Sequence, residues 1–266
     1  MPKFTDQQYL KTEQYKDSSN LDARVAIHQR FSTNPYGWMH WAFDALVKLP
    51  ANARILELGC GPGYLWKENV TRIPATWDIT LSDLSSGMLD STWRNLVVTG
   101  RNYKFKEIDA QDIPFEDETF DAVIANHMLY HVPDRKMALK EMRRVLKNDS
   151  ILFTATLGKN HMHEMWGWLE RTGSMITRET ITSAFTLENG MEQLQEFFSR
   201  IELAHYIDNL RVTDVSVMMA YIRSMTSTKE FHEDALQAIE RELTDAMKKN
   251  GEIFITKDSG LFKASK

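Results

Sequence analysis

The sequence predicts an α/β fold in which helices cover both faces of a mostly parallel sheet. Short apolar runs alternate with helical stretches over residues 53–157, and such alternation needs crossover connections between parallel strands. The first run ends in a glycine-rich turn at residues 59–63, and the fourth run, residues 120–125, is apolar enough for burial on both faces. These observations predict one large α/β domain with additions, and a ligand site at its glycine-rich turn.

Composition excludes several classes of protein. Of the 266 residues, 42% are hydrophobic and 26% are charged, and no run of eighteen apolar residues occurs, so a membrane span is not expected. The first eight residues lack the apolar core of a signal peptide, which favours a cytoplasmic location. The net charge of -5 argues against a nucleic-acid partner. Because Cys60 is the only cysteine, neither an internal disulfide nor a thiolate metal cluster is expected.

The strands and helices of the main domain are predicted from apolar runs and capping residues. Strands are expected at residues 54–58, 78–82, 103–108, 120–125 and 151–157. A serine at 85 or 86 can cap the helix after the second strand, and Asp134 is the expected N-cap of a helix before the fifth.

The flanks of this alternation are predicted to be mainly helical. Residues 1–50 form an aromatic arm, with Asn20 capping a helix that begins at Leu21; the arm either packs on the core or closes over a ligand. Residues 51–266 form the main domain, with a helical insertion within about 158–250. Three helices are expected around residues 191–198, 217–225 and 236–247, with strands at 201–207 and 252–256, the latter as the last strand. Met162, Trp166 and Met175 belong to a segment that forms either a lid or ordinary core.

Carboxylates follow the glycine-rich turn at the ends of the next two strands. Asp83 lies twenty residues beyond Gly63, where an acid can accept hydrogen bonds from both hydroxyls of a ribose. Asp109 ends the third strand and can meet an adenine edge. Each acid alone is compatible with a cap or a turn residue, but together they predict a nucleoside-containing ligand at the carboxyl ends of the strands.

With these motifs in order, the chain resembles the class I, Rossmann-like S-adenosylmethionine-dependent methyltransferases, especially their small-molecule branch. The likeness rests on residues 57–63, 81–89, 109–115 and 126–134. It implies a seven-stranded sheet whose last strand is antiparallel, S-adenosyl-L-methionine as methyl donor and S-adenosyl-L-homocysteine as product.

The same resemblance implies individual roles. Glu57 would lie near the ammonium group of the cofactor, Asp83 would hold the ribose, and Asp109 would read the adenine. The other cofactor-binding residues implied by the motifs are Gly59, Cys60, Gly61, Gly63, Leu84, Met88, Ala110, Gln111 and Asn126. From the arm, we expect Tyr15 and Arg24 to reach the methionine end, with Arg24 pairing with the cofactor carboxylate.

The methyl acceptor is expected to be a small molecule attacking through oxygen, nitrogen or carbon. Since the methyl group of a sulfonium is already electrophilic, the protein mainly needs to align the reactants and exclude water. A hydroxyl acceptor needs a base, for which His131 is preferred to His127 and Tyr130. Trp38 and the segment around Trp166 are expected to shape the acceptor site.

Two other classes of function stay open on the sequence. One is an oxidoreductase that uses a nicotinamide dinucleotide, although Pro62 removes an N–H group that a pyrophosphate could use. The other is a methyltransferase-like domain that only binds a partner. Oligomeric state is not predicted.

Overall fold

The computed structural model describes residues 3–171, 184–225 and 231–266, and its centre is a seven-stranded sheet. The described residues form nine strands in all, seven of them in this sheet. They are β1 (Arg54–Leu58), β2 (Asp78–Asp83), β3 (Lys104–Glu107), β4 (Phe120–Ile124), β5 (Leu146–Leu157), β6 (Arg200–His205), β7 (Asn209–Val212), β8 (Ile253–Thr256) and β9 (Ser259–Ser265). The main sheet has the order β3-β2-β1-β4-β5-β9-β6, and β7 and β8 form a separate two-stranded sheet.

The direction of the strands places the predicted site residues at one edge. β1 to β5 pair in parallel, with Leu58 opposite Ser82 and Asp83 opposite Glu107, so their carboxyl ends meet at the same edge. β9 runs antiparallel to both β5 and β6. The seven-stranded sheet and its antiparallel last strand are therefore confirmed.

Helices cover both faces of this sheet and its edge. They are α1 (Gln7–Tyr9), α2 (Ser19–Phe31), α3 (Trp38–Asp44), α4 (Tyr64–Glu68), α5 (Ser86–Val97), α6 (Arg135–Val145), α7 (His163–Arg171), α8 (Gly190–Gln195), α9 (Val215–Ser224) and α10 (Glu233–Asn250). A π-helical turn at Leu10–Gln14 follows α1, and 3-10 turns lie at Lys3–Thr5, Val70–Arg72 and Leu129–His131.

The predicted caps at residues 85 and 134 are confirmed. Ser85 accepts a hydrogen bond from the Met88 N–H at the start of α5, and Asp134 does the same for Met137 in α6. Gly251 ends α10 in the left-handed conformation, with φ of 78°. Each cap satisfies a backbone group that the end of the helix would otherwise leave unpaired.

Two local predictions are wrong. α2 begins at Ser19, not at Leu21, and the Asn20 amide donates to the Gln14 carbonyl instead of capping the helix. β8 lies in the small sheet, whereas β9 is the last strand of the main one. β9 escaped prediction because its short apolar stretch is flanked by Ser, Gly and Lys, while the Ile-Phe-Ile of β8 has the stronger strand pattern.

The buried side chains form three clusters. Two lie on the faces of the main sheet: one includes residues of α6, and the other includes residues of α3 and α4. The third joins Ile27 of α2 to α7, α9, α10 and the small sheet, and it contains Met162 and Trp166. Met175 lies outside the described residues. The division into an arm, a main domain and an insertion stays a prediction, and no helix among the described residues is long and apolar enough to cross a membrane.

Candidate active site

A cavity of about 680 Å³ lies at the carboxyl ends of the central strands. Its walls come from the arm, from the turns after β1, β2, β3 and β4, and from the loops at residues 206 and 257–259. This volume lies within the range of small-molecule and cofactor sites. The position agrees with the general rule that open parallel sheets bind ligands beyond their carboxyl ends.

The turn after β1 needs its glycines for conformation and for space. Gly59, Gly61 and Gly63 have φ values of 66°, 53° and 74°, a region that other residues rarely adopt. A Cβ atom on Gly63 would lie 2.7 Å from the Thr92 side chain of α5. Gly59, Cys60 and Gly61 line the cavity. Gly63 does not line it and is the N-cap of α4.

Asp83 fixes the turn after β1 to the turn after β2. Its carboxylate accepts hydrogen bonds from the Gly61 N–H (3.0 Å) and the Ser85 N–H (2.9 Å). Burial raises the pKa of Asp83 to about 6, although these N–H groups act in the opposite direction. Leu84 and Met88 line the cavity beside it.

Glu57 is a buried acid at the end of β1. Only 4% of the residue is exposed, and its carboxyl group accepts a hydrogen bond of 2.5 Å from the Trp66 indole N–H. Burial raises the pKa of Glu57 to about 8, against the effect of Trp66 and with a further rise from the Asp83 charge. Glu57 is therefore largely uncharged at neutral pH and is poised to ionise when a cation arrives.

Asp109 occupies the turn after β3 and is held by amide groups. It accepts hydrogen bonds from the Gln111 N–H (2.9 Å), from the Gln111 side chain (3.0 Å) and from the Gln7 side chain of the arm (2.8 Å). Asp109 and Ala110 line the cavity, but Gln111 is outside the lining, and its side-chain oxygen accepts from the Asp134 N–H. The arm thus reaches the proposed adenine end through Gln7.

Arg24 brings a positive charge to the cavity without a carboxylate partner. Its guanidinium donates to the Ser224 carbonyl (2.8 Å), the Ser224 hydroxyl (3.2 Å) and the Tyr15 hydroxyl (3.3 Å). Across residues 3–171, 184–225 and 231–266, no acidic group lies within 4.0 Å of it. Because a partly buried cation is costly without a counter-charge, this arrangement favours an anionic ligand.

His131 is fixed on both ring nitrogens. Nδ1 donates to the Phe4 carbonyl at 2.8 Å, since a carbonyl only accepts, and Nε2 accepts from the Tyr15 hydroxyl at 2.9 Å. Burial lowers the pKa of His131 to about 4, so the imidazole is neutral. Tyr15 and His131 both line the cavity, and together they fasten the arm to the turn after β4.

Asn126 and His127 follow β4. The Asn126 side-chain oxygen accepts from the Ala155 N–H at 3.1 Å, which anchors this turn to β5. His127 adopts a left-handed backbone conformation with φ of 53°, and burial lowers its pKa to about 4. Its ring centroid lies 5.1 Å from that of Trp38.

The far end of the cavity contains residues that sequence reasoning missed. They are His28, His161, Tyr206 and Lys257, which lie beside the predicted Trp38. One signal was available for His28, because Leu21, Arg24 and His28 follow helical spacing and share one face of α2. Trp166 is packed in the third buried cluster and is not in the cavity lining.

The seven-stranded sheet with a cavity at its carboxyl edge is a Rossmann-like fold. Residues 56–154 match the family Methyltransf_11, described as "Methyltransferase domain", so this part of the chain is a class I, S-adenosylmethionine-dependent methyltransferase domain.

Curated relatives agree with this assignment. The chain is 33% identical over 120 residues to a malonyl-[acyl-carrier protein] O-methyltransferase of Legionella pneumophila, covering 43% of this chain and 40% of that protein. It is 34% identical over 109 residues to the ubiquinone/menaquinone biosynthesis C-methyltransferase UbiE of Haemophilus ducreyi, covering 40% and 42%. The match thus spans about two fifths of each of these relatives.

Solved structures share the fold over most of the chain. The YcgJ protein of Bacillus subtilis has a TM-score of 0.59 at 17% identity and covers 84% of this chain and 97% of its own. The [4+2]-cyclase SpnF has a TM-score of 0.60 at 19% identity and covers 97% and 96%. Because a cyclase shares this fold, the activity of the chain has to be argued from its site.

Proposed function

We propose that this chain transfers the methyl group of S-adenosylmethionine to a small-molecule acceptor that enters the same cavity. The observation that carries the proposal is the placement of Arg24, Glu57 and Asp83 around one cavity, where they match the carboxylate, the ammonium group and the ribose of a nucleoside that carries an amino acid. The match to the methyltransferase family supports it.

The charges of the cavity fit the charges of this cofactor. Arg24 lacks an acid in the described part of the chain, so it would pair with the cofactor carboxylate. Glu57 would ionise beside the ammonium group, because a cation lowers the pKa of a neighbouring acid. Asp83 keeps lone pairs for the ribose hydroxyls while the two backbone N–H groups hold its orientation.

The uncharged parts of the cofactor also find suitable surfaces. Leu84 and Met88 provide apolar contact for the adenine ring, and Asp109 with the Ala110 N–H would read its edge. The bare backbone of Gly59 and Gly61 allows close approach of the methionine portion. Cys60 is buried between β2 and α5, where its N–H donates to the Ser82 carbonyl, and would contribute through its backbone.

The cofactor supplies an electrophilic methyl group, and the protein supplies alignment and a site shielded from water. The arm closes the cavity through three contacts: Gln7 to Asp109, Tyr15 to His131, and the Ser85 hydroxyl to the Tyr15 carbonyl. A ligand held under this arm is separated from bulk water. Side reaction with water would therefore be suppressed.

We propose His131 as the base for a hydroxyl acceptor, acting through Tyr15. The neutral Nε2 atom already accepts the Tyr15 hydrogen, so Tyr15 can pass a proton from the acceptor to His131 as it receives one. The Arg24 guanidinium, 3.3 Å from the Tyr15 oxygen, stabilises negative charge on that oxygen during the transfer. The bound cofactor would supply the methyl group, its carbon–sulfur bond breaking as the methyl–oxygen bond forms, and would leave as S-adenosylhomocysteine.

The carboxylate pairing is tested by Arg24→Met with Arg30→Met as the matched control. Arg30 lies on the same helix but is exposed and pairs with Asp214 at 3.0 Å. We expect Arg24→Met to bind S-adenosylhomocysteine at least tenfold more weakly by calorimetry, because a charge-assisted pair is lost. Arg30→Met should bind like the parent. Equal affinity of the Arg24 variant and the parent would contradict the assignment.

The activity itself is tested by transfer of labelled methyl from S-adenosylmethionine to a pool of metabolites. We expect labelled product with the parent and much less with Tyr15→Phe, which cannot relay a proton and loses the contact with His131 but keeps the other two contacts of the arm. Cofactor binding without transfer to any fraction would favour a binding module instead.

A further inference from the structure

The part of the cavity beyond Arg24 has a wall of aromatic and imidazole rings, of which only Trp38 was predicted to shape the acceptor site. We call this part the distal pocket; it is lined by His28, Trp38, His127, His161, Tyr206 and Lys257. The Trp38 ring centroid lies 5.1 Å from that of His127 and 5.3 Å from that of Tyr206. Walls made of such rings favour a flat ligand, which can stack on them or meet their edges.

His28 carries hydrogen-bonding capacity that the described residues leave unused. Its Nδ1 atom is buried without a partner, whereas its Nε2 atom, to which no residue of the described ranges is hydrogen-bonded, is the ring nitrogen left open to the cavity. Its ring neighbours are Tyr221, at 6.1 Å between centroids, and His161, at 6.2 Å. A ligand that displaces water from Nε2 has to replace its hydrogen bond, because a buried polar atom without a partner is costly. The cavity therefore favours a ligand whose polar group can bond Nε2 of His28.

The distal pocket is close to neutral overall. Lys257 and Asp208 form a buried ion pair of 2.5 Å, so the lysine charge is compensated. Burial, with the Lys257 charge, lowers the pKa of His28 and of His127, so both imidazoles are neutral. A charged ligand would lose its hydration here without finding a free counter-charge, which favours an uncharged one.

The position of His28 places this pocket next to the cofactor end. His28 lies four residues beyond Arg24 on α2, about 6 Å along the helix. A ligand bonded to His28 is therefore one helical turn from the group assigned to the cofactor carboxylate. This separation is short enough for the two ligands to be in contact.

We propose that the distal pocket is the acceptor site and that it takes an uncharged planar ring bearing a hydroxyl group, with this hydroxyl hydrogen-bonded to His28. This inference rests on the proposed methyl transfer and names the class of acceptor. Trp38 and Tyr206 select the flat shape, and His28 selects the hydroxyl. The ion pair of Lys257 with Asp208 orders the wall, since Asp208 also accepts from the Ser32 hydroxyl at 2.6 Å.

Equilibrium binding of small probes tests the inference without requiring turnover. The intact chain is first saturated with S-adenosylhomocysteine and then titrated in a calorimeter with phenol, catechol, cyclohexanol, benzoate or benzylamine. The two aromatic hydroxyl compounds should bind at least tenfold more tightly than the saturated alcohol, the acid and the amine. S-adenosylhomocysteine binding in the first step reports on the proposed function separately.

Substitution of His28 then assigns the hydrogen bond. His28→Ala should weaken catechol binding at least tenfold and leave S-adenosylhomocysteine affinity within twofold of the parent. His28→Gln, which keeps a side-chain donor and acceptor, should recover part of the loss and shows that the effect is not one of folding. His205→Ala is the control, because His205 is exposed on β6 and outside the cavity.

Several outcomes would overturn the inference. Preferred binding of benzoate or benzylamine would replace the uncharged acceptor with an acid or an amine. Intact S-adenosylhomocysteine binding with no aromatic hydroxyl binding at millimolar concentration would refute the acceptor class alone. Unchanged catechol affinity in His28→Ala would remove His28 from the site. Loss of S-adenosylhomocysteine binding by the parent would refute the proposed function instead.

Discussion

Replacing Glu57 by Gln should make the protein without ligand more stable at neutral pH. The folded pKa is about 8 against an ordinary value of 4.5, so the unfolded chain loses this proton first as the pH rises. Stability from the protonated acid is complete below pH 4.5 and is lost as the pH rises towards 8. This difference in pKa corresponds to roughly 5 kcal/mol in all, of which about half falls between pH 5 and pH 7.

The assay is urea unfolding of the parent and of Glu57→Gln at several values of pH from 5 to 8. The parent should lose roughly 2 to 3 kcal/mol of unfolding free energy relative to the variant between pH 5 and pH 7. Glu116→Gln, at an exposed acid, is the control and should follow the parent. Parallel pH profiles of Glu57→Gln and the parent would refute the buried, protonated state of Glu57.

Two further substitutions test the ribose and arm contacts. Asp83→Asn should keep the fold, since an amide oxygen can still accept from Gly61, but should bind S-adenosylhomocysteine at least tenfold more weakly; unchanged affinity in calorimetry would contradict the ribose assignment. Gly87→Ala should detach the arm, because its Cβ would lie 1.8 Å from the Lys16 carbonyl oxygen. Limited proteolysis should then cut the arm faster, and an unchanged rate would show that the arm is held elsewhere.

Strands, helix caps and site residues could be predicted from the sequence wherever local interactions determine them. β1 and the cap at Asp134 follow from an apolar run and from a side chain that bonds a backbone three residues away. The positions of Asp83 and Asp109 in the cavity wall could be predicted because the carboxyl ends of parallel strands lie at the same edge of the sheet. Composition also predicts a cytoplasmic location and no nucleic-acid partner, and these stay predictions.

The acceptor end could not be predicted because distant segments build it. His28 comes from the arm and Lys257 from the loop between β8 and β9, and they line one cavity only after α2 packs near the small sheet. Asp208 fixes this arrangement by accepting from both the Asn34 N–H and Lys257. No periodicity or motif links positions so far apart.

The central claim is that the cavity binds a nucleoside that carries an amino acid through sulfur, as S-adenosylmethionine does. It is tested most directly by calorimetric titration of the intact protein with S-adenosylhomocysteine and, separately, with NAD. The account predicts binding of S-adenosylhomocysteine, with a gain in stability of about 2.7 kcal/mol at one hundred times its dissociation constant, and no binding of NAD. Binding of NAD alone would contradict it.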